Sequence, residues 1–537
     1  MPFGWQWGAD MSGYFYLTTP IYYVNAEAHI GHTYTTVLCD TIVRYRRLCG
    51  DTCFFLTGSD EHGEKVLEVA RRRGESPAQT AEYFSNSFLR VWEEIGISHD
   101  RFIRTTDADH KQVVQQILQR VYDEGEIRFK EYEGLYCVGC ERFLTDRDML
   151  DGLCRDHERA PEPRTEANYF FDMGAHFSWL RDYIEQNPDF IRPERYKNEV
   201  LAMLDEETGL GGELCISRPK SRLDWGIELP FDTDYVCYVW FDALINYLTG
   251  IGYPDGPHFQ DYWSNCEHVV GKDILKPHGV FWPTMLRAIG LEPPRHVSVH
   301  GYWNVDDRKV SKSLGNMIDP LIMREKYGFE AFRYFLLRDM VFGQDSNFSE
   351  DALVRRINAD LANNIGNLVS RTLNMTGRFA GGLVPEPGAI EIPEREVIDA
   401  AATAVAEVDL RMRGMRPQRA LESILALVDA TNRYLELREP WKAAKDPELA
   451  DTVSTTLHTC CESLRIVALL LAAFLPVAAA EILDRLGLGD ALETAVLPAS
   501  AEWGGIPVGS PTRKGKPLFP RIETAGAEDA ESKDGAD

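Results

Sequence analysis

The chain predicts an open α/β fold, split by a metal-binding insertion and followed by a separate helix bundle. Three observations predict it. Strand-like and helix-like segments alternate over residues 14–124, the pattern of a parallel sheet with crossover helices. Two Cys/His knuckles then break that pattern at Cys137, Cys140, Cys154 and His157. From about residue 350, apolar residues recur at helical spacing with few strand signals.

The first unit is a strand-like run, Phe15, Tyr16, Leu17, Thr18 and Thr19, then a loop and a helix over 34–48. Before that helix stands His29-Ile30-Gly31-His32. A helix N-terminus offers free N–H groups and partial positive charge, which suit phosphate. Gly31 permits close approach of a ligand, and His29 and His32 share one face. As a lone string this is equally two surface histidines at a helix start.

A second β-rich run, 52–57, leads into Gly58, Ser59, Asp60, Glu61, His62 and Gly63. Polar residues just past a strand lie at the carboxyl edge of a parallel sheet, where such folds bind ligands. Asp60 there suits an ammonium group. Taken alone, it also reads as a cap for the helix that follows.

The knuckles Cys137/Cys140 and Cys154/His157 make one closed Cys₃His set with no open position. That chemistry predicts a structural zinc ion that holds a polar loop together. Residues 160–228 show few periodic runs, so the whole stretch 125–228 reads as an insertion. The sheet pattern is expected to resume over 235–240. Trp240, Ala243, Leu244 and Tyr247 follow helical spacing, which suits a core or an apolar ligand wall. A strand at 268–270 precedes Ile274 and His278, again polar and apolar groups past a strand end.

Lys309-Val310-Ser311-Lys312-Ser313, with Gly315 close by, suits a mobile phosphate clamp. By itself it is also an ordinary basic loop. Beyond it, Leu353, Ile357, Leu361 and Ile365 form an apolar stripe, with Ser349 as the start signal. Further helices are expected around 395–412, 416–438, 450–474 and 477–485, a bundle. Within it Asn367 and Arg371 share a helix face. Trp441 follows Pro440 at a helix break, either as core or as a platform for stacking a base.

The 537 residues allow three or four domains. The formal net charge of −27 argues against a uniformly basic nucleic-acid surface, leaving local patches such as Arg44, Arg46 and Arg47. Eleven cysteines in so long a chain do not suggest a disulfide framework, and a reducing cytoplasm is expected. The longest apolar run, 466–480, is short for a membrane span and contains Pro476. No secretory signal is visible. Met11 reads as an alternative start, with 1–12 an extension, and 523–537 reads as a disordered tail.

Together, His29-Ile30-Gly31-His32 and Lys309-Val310-Ser311-Lys312-Ser313 resemble the HIGH and KMSKS signatures of class I aminoacyl-tRNA synthetases. Val310 stands where the second signature usually has Met. The strings at 18–32, 55–63, 238–243, 271–278, 281–283 and 438–441, with the single Cys₃His set, closely resemble the methionyl-tRNA synthetase family over residues 13–505. The resemblance implies a class I Rossmann-like catalytic domain, split by the zinc-knuckle insertion and followed by an α-helical anticodon-binding bundle. The expected divisions are an extension 1–12, a first sheet half 13–124, an insertion 125–228, a second half 229–300, a lysine-loop region 301–350, a bundle 351–505 and a tail 506–537.

It also implies ATP-dependent activation of methionine and transfer to tRNA(Met), with Mg²⁺ accompanying ATP. His29, Gly31, His32, Lys309 and Lys312 match the ATP positions. Asp60 matches the position that holds the substrate ammonium. Ile21, Tyr23, Trp240, Ala243, Leu244, Tyr247, Ile274 and His278 match the methionine pocket, where Tyr247 or a backbone N–H near Ile21 would contact the sulfur. Asn367, Arg371 and Trp441 match positions that read the anticodon. No long editing insertion is present, unlike leucyl-, isoleucyl- and valyl-tRNA synthetases. Cysteinyl-tRNA synthetases place zinc in the active site, whereas this set looks closed. A non-catalytic paralogue would be expected to lose the histidines or lysines. With no added dimerising module, a monomer without membrane attachment is expected.

Overall fold

The structure, a computed structural model, describes residues 13–138, 142–144, 148–155, 158–205, 212–305, 308–309 (backbone alone) and 317–523. It divides into two compact units: Met1–Cys39 with Thr52–Tyr302, and Asp40–Asp51 with Trp303–Asp537.

The first unit is built on a seven-stranded sheet. Its strands are β1 (Tyr14–Thr18), β2 (Tyr22–Tyr23), β3 (Thr52–Asp60), β4 (Arg101–Arg104), β5 (Ile191–Arg192), β6 (Cys266–Gly271) and β7 (His296–His300). The order is β5-β7-β6-β1-β3-β2, with β4 also on β3, and every pairing is parallel. Central strands covered on both faces need near-continuous burial, and all six residues of β6 are buried. β3 and β4 approach so closely that a Cβ at Gly58 would stand 2.0 Å from the Ile103 carbonyl oxygen, so only glycine fits. The helix α1 (Ile30–Leu48) follows β1 and β2. Because β1 lies between β3 and β6, the chain order reverses beside β1, and ligands bind open α/β sheets outside the strand ends at such a point.

The insertion forms sheets of its own. Ile127–Cys137 and Glu162–Asp172 pair antiparallel along their length, flanked by Glu213–Cys215 and Arg142–Leu144. The expectation that the main sheet resumes at 235–240 is corrected. Asp232–Cys237 is the middle strand of a small antiparallel sheet with Ser217–Pro219 and Glu228–Leu229. The chain enters a helix at Val239, and the parallel sheet resumes only at β6. The β-rich composition of 235–240 gave the strand but not its partners. The stretch 160–228 also contributes β5, an edge strand of the main sheet, although its two residues carry no periodic signal.

The second unit is mainly helical. Ser349 caps Glu350–Arg356, its side chain accepting from the Ala352 N–H at 3.1 Å. The helix runs on through Ile357–Gly366 into Asn367–Phe379. Leu353, Ile357, Leu361 and Ile365 are all buried, as their spacing predicts. The long helices are Ile392–Arg413, Pro417–Arg438, Ala450–Leu471 and Pro476–Arg485. A buried Arg333 pairs with Asp40 at 2.5 Å and donates to Thr41, Ala473 and Phe474. A buried charge needs such full satisfaction. Among the described residues no helix is long and apolar enough to cross a membrane.

Candidate functional site

His29 and His32 flank the start of α1. Their rings stack with centroids 3.8 Å apart. The Gly31 N–H donates to His29 Nδ1 at 3.1 Å, and the His29 N–H donates to His32 Nδ1 at 3.3 Å. A ring nitrogen that accepts carries no proton, so each neutral imidazole keeps its hydrogen on Nε2. Burial, then the neighbouring His29, pushes the His32 pKa well below its ordinary value. The pair therefore directs two Nε2 positions outward at a helix N-terminus, that of His32 on a neutral ring. A Cβ at Gly31 would come within 3.0 Å of the His29 ring, so glycine leaves that ring its place. Tyr22 braces α1 from behind, with its hydroxyl 2.7 Å from Thr36 Oγ1 and its ring 4.9 Å from that of His32.

Asp60 is the last residue of β3, in register with Tyr23, and is buried. It does not cap the next helix: Glu64–Arg73 begins at Gly63, whose φ is +109°, with no side-chain cap. Ile21, Tyr23, Trp240 and Ile274 are partly buried and pack on the same core that contains Leu244 and Tyr247. Ala243 is buried beside them in sequence. Ile21, Tyr23, Trp240, Leu244, Tyr247 and Ile274 thus all pack on one large hydrophobic core, and Asp60 ends the strand that pairs with Tyr23.

Tyr247 and His278 are hydrogen-bonded at 2.7 Å. His278 Nδ1 lies 2.9 Å from the Ile274 carbonyl, so it must donate there. Burial pushes the His278 pKa down to about 4. The ring is then neutral, its Nε2 accepts, and Tyr247 donates. In this structure the Tyr247 hydroxyl hydrogen is directed to His278. Tyr247 also stacks on His268 at 4.0 Å. His268 accepts from Trp282 Nε1 at 3.1 Å and lies 2.8 Å from Thr18 Oγ1. Sequence alone gave His268 no role; its only signal was a histidine inside a buried strand.

Next to Asp60, Glu61 is buried and receives Ser85, Thr106 and Arg104 at 2.5, 2.5 and 2.6 Å. Burial alone would raise its pKa, but these donors hold it below the ordinary carboxylate value.

Cys137 and Cys154 are buried together with Leu144, against Met149. The described cysteines form no disulfides. Cys140 and His157 lie outside the described residues, and no set of three or more ligands is gathered among the described ones. Two thiols from separate knuckles in one small cluster fit a soft tetrahedral ion. Lys309 lies in the strand Arg308–Lys309, opposite Asn304; its side chain and all of Lys312 lie outside the described residues.

In the second unit, the Arg371 guanidinium stands 5.2 Å from the Trp441 ring centroid and is ion-paired with Glu436 at 2.6 Å. Glu439, at φ +41°, makes the break between Pro417–Arg438 and Pro440–Ala443 that presents the half-buried Trp441. Asn367 is exposed one turn before Arg371.

A parallel sheet whose order reverses beside β1, with two imidazole donors at the start of the next helix, has the form of a nucleotide-binding α/β domain, and the family model that matches it is that of the class I tRNA synthetases. Residues 15–160 and 148–373 match the family described as tRNA synthetases class I (M), and 384–536 match the anticodon binding domain of methionyl tRNA ligase. The methionine–tRNA ligase of Deinococcus radiodurans is 46% identical over 519 residues, 95% of this chain and 74% of that protein. That of Streptomyces coelicolor is 39% identical, covering 95% and 97%. The Mycobacterium tuberculosis methionyl-tRNA synthetase in complex with methionyl-adenylate superposes with a TM-score of 0.88 at 38% identity, covering 95% of this chain and all of that one. The chain belongs to the methionine–tRNA ligase family.

Proposed function

We infer that this chain is an ATP-dependent methionine–tRNA ligase. The observation that carries the reading is similarity over 95% of the chain to a methionyl-tRNA synthetase whose structure holds methionyl-adenylate. The methionine carboxylate attacks the α-phosphorus of ATP, forming methionyl-adenylate and releasing pyrophosphate. A hydroxyl of the tRNA(Met) 3′ end then takes the aminoacyl group and releases AMP.

Chemistry of this kind needs alignment and neutralisation of charge more than a strong base. His29 and His32 donate through Nε2 to ATP phosphate oxygens, beside Gly31 and the N-terminus of α1. Lys309 and Lys312 neutralise charge on the leaving pyrophosphate. Mg²⁺ accompanies the nucleotide and supplies further neutralisation. Asp60 holds the methionine ammonium. Ile21, Tyr23, Trp240, Ala243, Leu244, Tyr247, Ile274 and His278 surround the side chain, and a polarizable thioether suits aromatic walls. Cys137, Cys140, Cys154 and His157 hold one zinc ion that ties the insertion together. Asn367, Arg371 and Trp441 read the tRNA anticodon.

The divisions are 13–124 and 229–300 for the sheet halves, 125–228 for the insertion, which lends Ile191–Arg192 to the main sheet, 301–350 for the lysine loop and 351–505 for the bundle. We place the protein in the cytoplasm as a monomer; concentration-independent dimers in light scattering would overturn the latter.

The test is ATP–pyrophosphate exchange without tRNA, with methionine against cysteine, leucine and isoleucine, followed by charging of tRNA(Met). Exchange with methionine alone is the expected result. Exchange with another amino acid would reject the pocket assignment, and no exchange in zinc-replete protein would reject the activity.

A further inference from the structure

Two residues past Asp60, His62 enters a buried cluster that the reaction as described does not use. His62 Nδ1 lies 2.6 Å from one oxygen of Asp242, and His110 Nε2 lies 2.8 Å from the other. All three side chains are buried. His110 comes from the buried face of the helix Ala108–Asp123, and Asp242 from the helix Val239–Leu244. The opposite nitrogen of His110 lies 3.3 Å from Thr249 Oγ1. The His62 ring also packs edge-on to Trp225, whose indole N–H donates to the Glu61 carbonyl at 2.6 Å.

This is a costly way to fill space. A buried carboxylate between two imidazoles pays desolvation that an apolar trio of the same volume would avoid. What the cluster supplies is geometry. Both carboxylate oxygens are directed, so they fix two rings in position and orientation together. One of those rings is covalently tied to the end of β3. The carboxylate itself is on the short helix between Trp240 and Ala243. Between Asp60 and His62, the Glu61 carboxylate is fixed by Ser85, Thr106 and Arg104. The backbone that carries Asp60 is therefore held by two successive buried clamps, and only the second reaches the pocket wall.

We propose that His62, Asp242 and His110 are positioning residues for amino-acid binding. The Asp242 carboxylate, clamped between the two imidazoles, keeps the ammonium-binding end of β3 at a fixed distance from the wall of Trp240, Ala243, Leu244 and Tyr247. This rests on the assignment of Asp60 and that wall to the methionine pocket. None of the three is among the residues assigned to ATP, so on this proposal their loss acts on methionine binding rather than on the nucleotide.

The experiment is steady-state ATP–pyrophosphate exchange on the whole protein. The variants are Asp242→Asn, His62→Ala and His62→Asn, with Asp60→Asn as the reference and active sites titrated. Asp242→Asn and His62→Ala are expected to raise the methionine KM about tenfold, with the ATP KM within about twofold of the parent. His62→Asn places an amide nitrogen where Nδ1 was, and is expected to restore most of the loss. A merely structural role would instead lower the active fraction or the melting temperature, leave the methionine KM alone, and overturn the proposal. If Asp242→Asn does not fold, the two His62 variants decide on the same criterion. If Asp60→Asn raises the methionine KM while the folded cluster variants do not, the positioning role falls and the pocket stands. If Asp60→Asn leaves it unchanged, the pocket assignment falls and takes the proposal with it.

Discussion

The Tyr247 hydroxyl donates to His278 Nε2 across 2.7 Å, and the far nitrogen of the same ring donates to the Ile274 carbonyl across 2.9 Å. One neutral imidazole therefore joins two of the predicted pocket segments. Both side chains are essentially buried, so the pair is preorganised before any ligand arrives.

Protonating that ring would break the Tyr247 bond, and burial holds its pKa near 4 against an ordinary 6.5. Between those values the unfolded chain binds a proton that the folded chain does not. The stability contribution is whole above pH 6.5 and is lost as the pH falls toward 4. At pH 5 the loss from this group is about 2 kcal/mol. His32 and His268, also pushed well down by burial, act in the same direction. Denaturation midpoints at about pH 7.5 and pH 5 should differ less in His278→Gln than in the parent. Equal differences in the two proteins would show that the ring does not titrate as its surroundings require.

Tyr247→Phe keeps the aromatic stack on His268 but leaves His278 Nε2 without its donor. A buried acceptor left unmade costs about 1–3 kcal/mol. The expected result is a lower melting temperature with a methionine KM changed by less than about threefold. A loss of methionine affinity well beyond that, at unchanged stability, would mean the hydroxyl contacts the substrate directly.

The histidine pair makes a sharper separation. His32 is neutral at working pH because burial holds its pKa well below 6.5. Exchange rates should therefore show no inflection from this group as pH rises through 6.5. Removing the Nε2–H donor in His32→Ala should cut kcat for exchange about a hundredfold, with methionine KM little changed. His32→Gln, which places an amide N–H near the same point, should recover part of it. An inflection near pH 6.5 that vanishes in His32→Gln would contradict the neutral assignment.

How much of this was legible beforehand follows from which interactions are local. The Ser349 cap and the stripe of Leu353, Ile357, Leu361 and Ile365 are set by residues within a few positions, and spacing reveals them; α1 is expected from 34 but starts at Ile30, one turn earlier, with His32 already inside it. Asp60 at a strand end was also readable, although only the structure separates it from a helix cap. The strand expected at 235–240 runs instead over 232–237 and pairs in another sheet, because pairing partners are not written in local sequence. The cluster of His62, His110 and Asp242 joins residues separated by 48 and 132 to 180 positions, and no periodicity records such a meeting. His268 was hidden for the same reason.

Zinc supplies a test of the insertion. Cys137 and Cys154 end two different strands yet share one small apolar cluster, too little core to hold the two knuckles by itself. The protein is expected to carry one zinc per chain by metal analysis. Cys154→Ser should lose the metal and raise protease sensitivity around the knuckles, 137–157. Metal content unchanged in Cys154→Ser, with the knuckles still protected, would remove Cys154 from the ligand set.

Arg371 stands over the Trp441 ring and is tied to Glu436 at 2.6 Å, and Glu436 is largely exposed. An exposed ion pair contributes only about 0–1 kcal/mol, so Glu436 orients the guanidinium without committing it. The indole face is the part that a base can stack upon, and such stacking is worth about 1–3 kcal/mol per base. Trp441→Ala should therefore raise the KM for tRNA(Met) by about five- to a hundredfold while leaving tRNA-independent pyrophosphate exchange untouched. Glu436→Gln should change the tRNA KM by less than about threefold, since Arg371 keeps its seat on the ring. Equal losses in exchange and charging in Trp441→Ala would mark the tryptophan as a packing residue. A large effect of Glu436→Gln with none from Trp441→Ala would move the recognition of the anticodon from the ring to the charge.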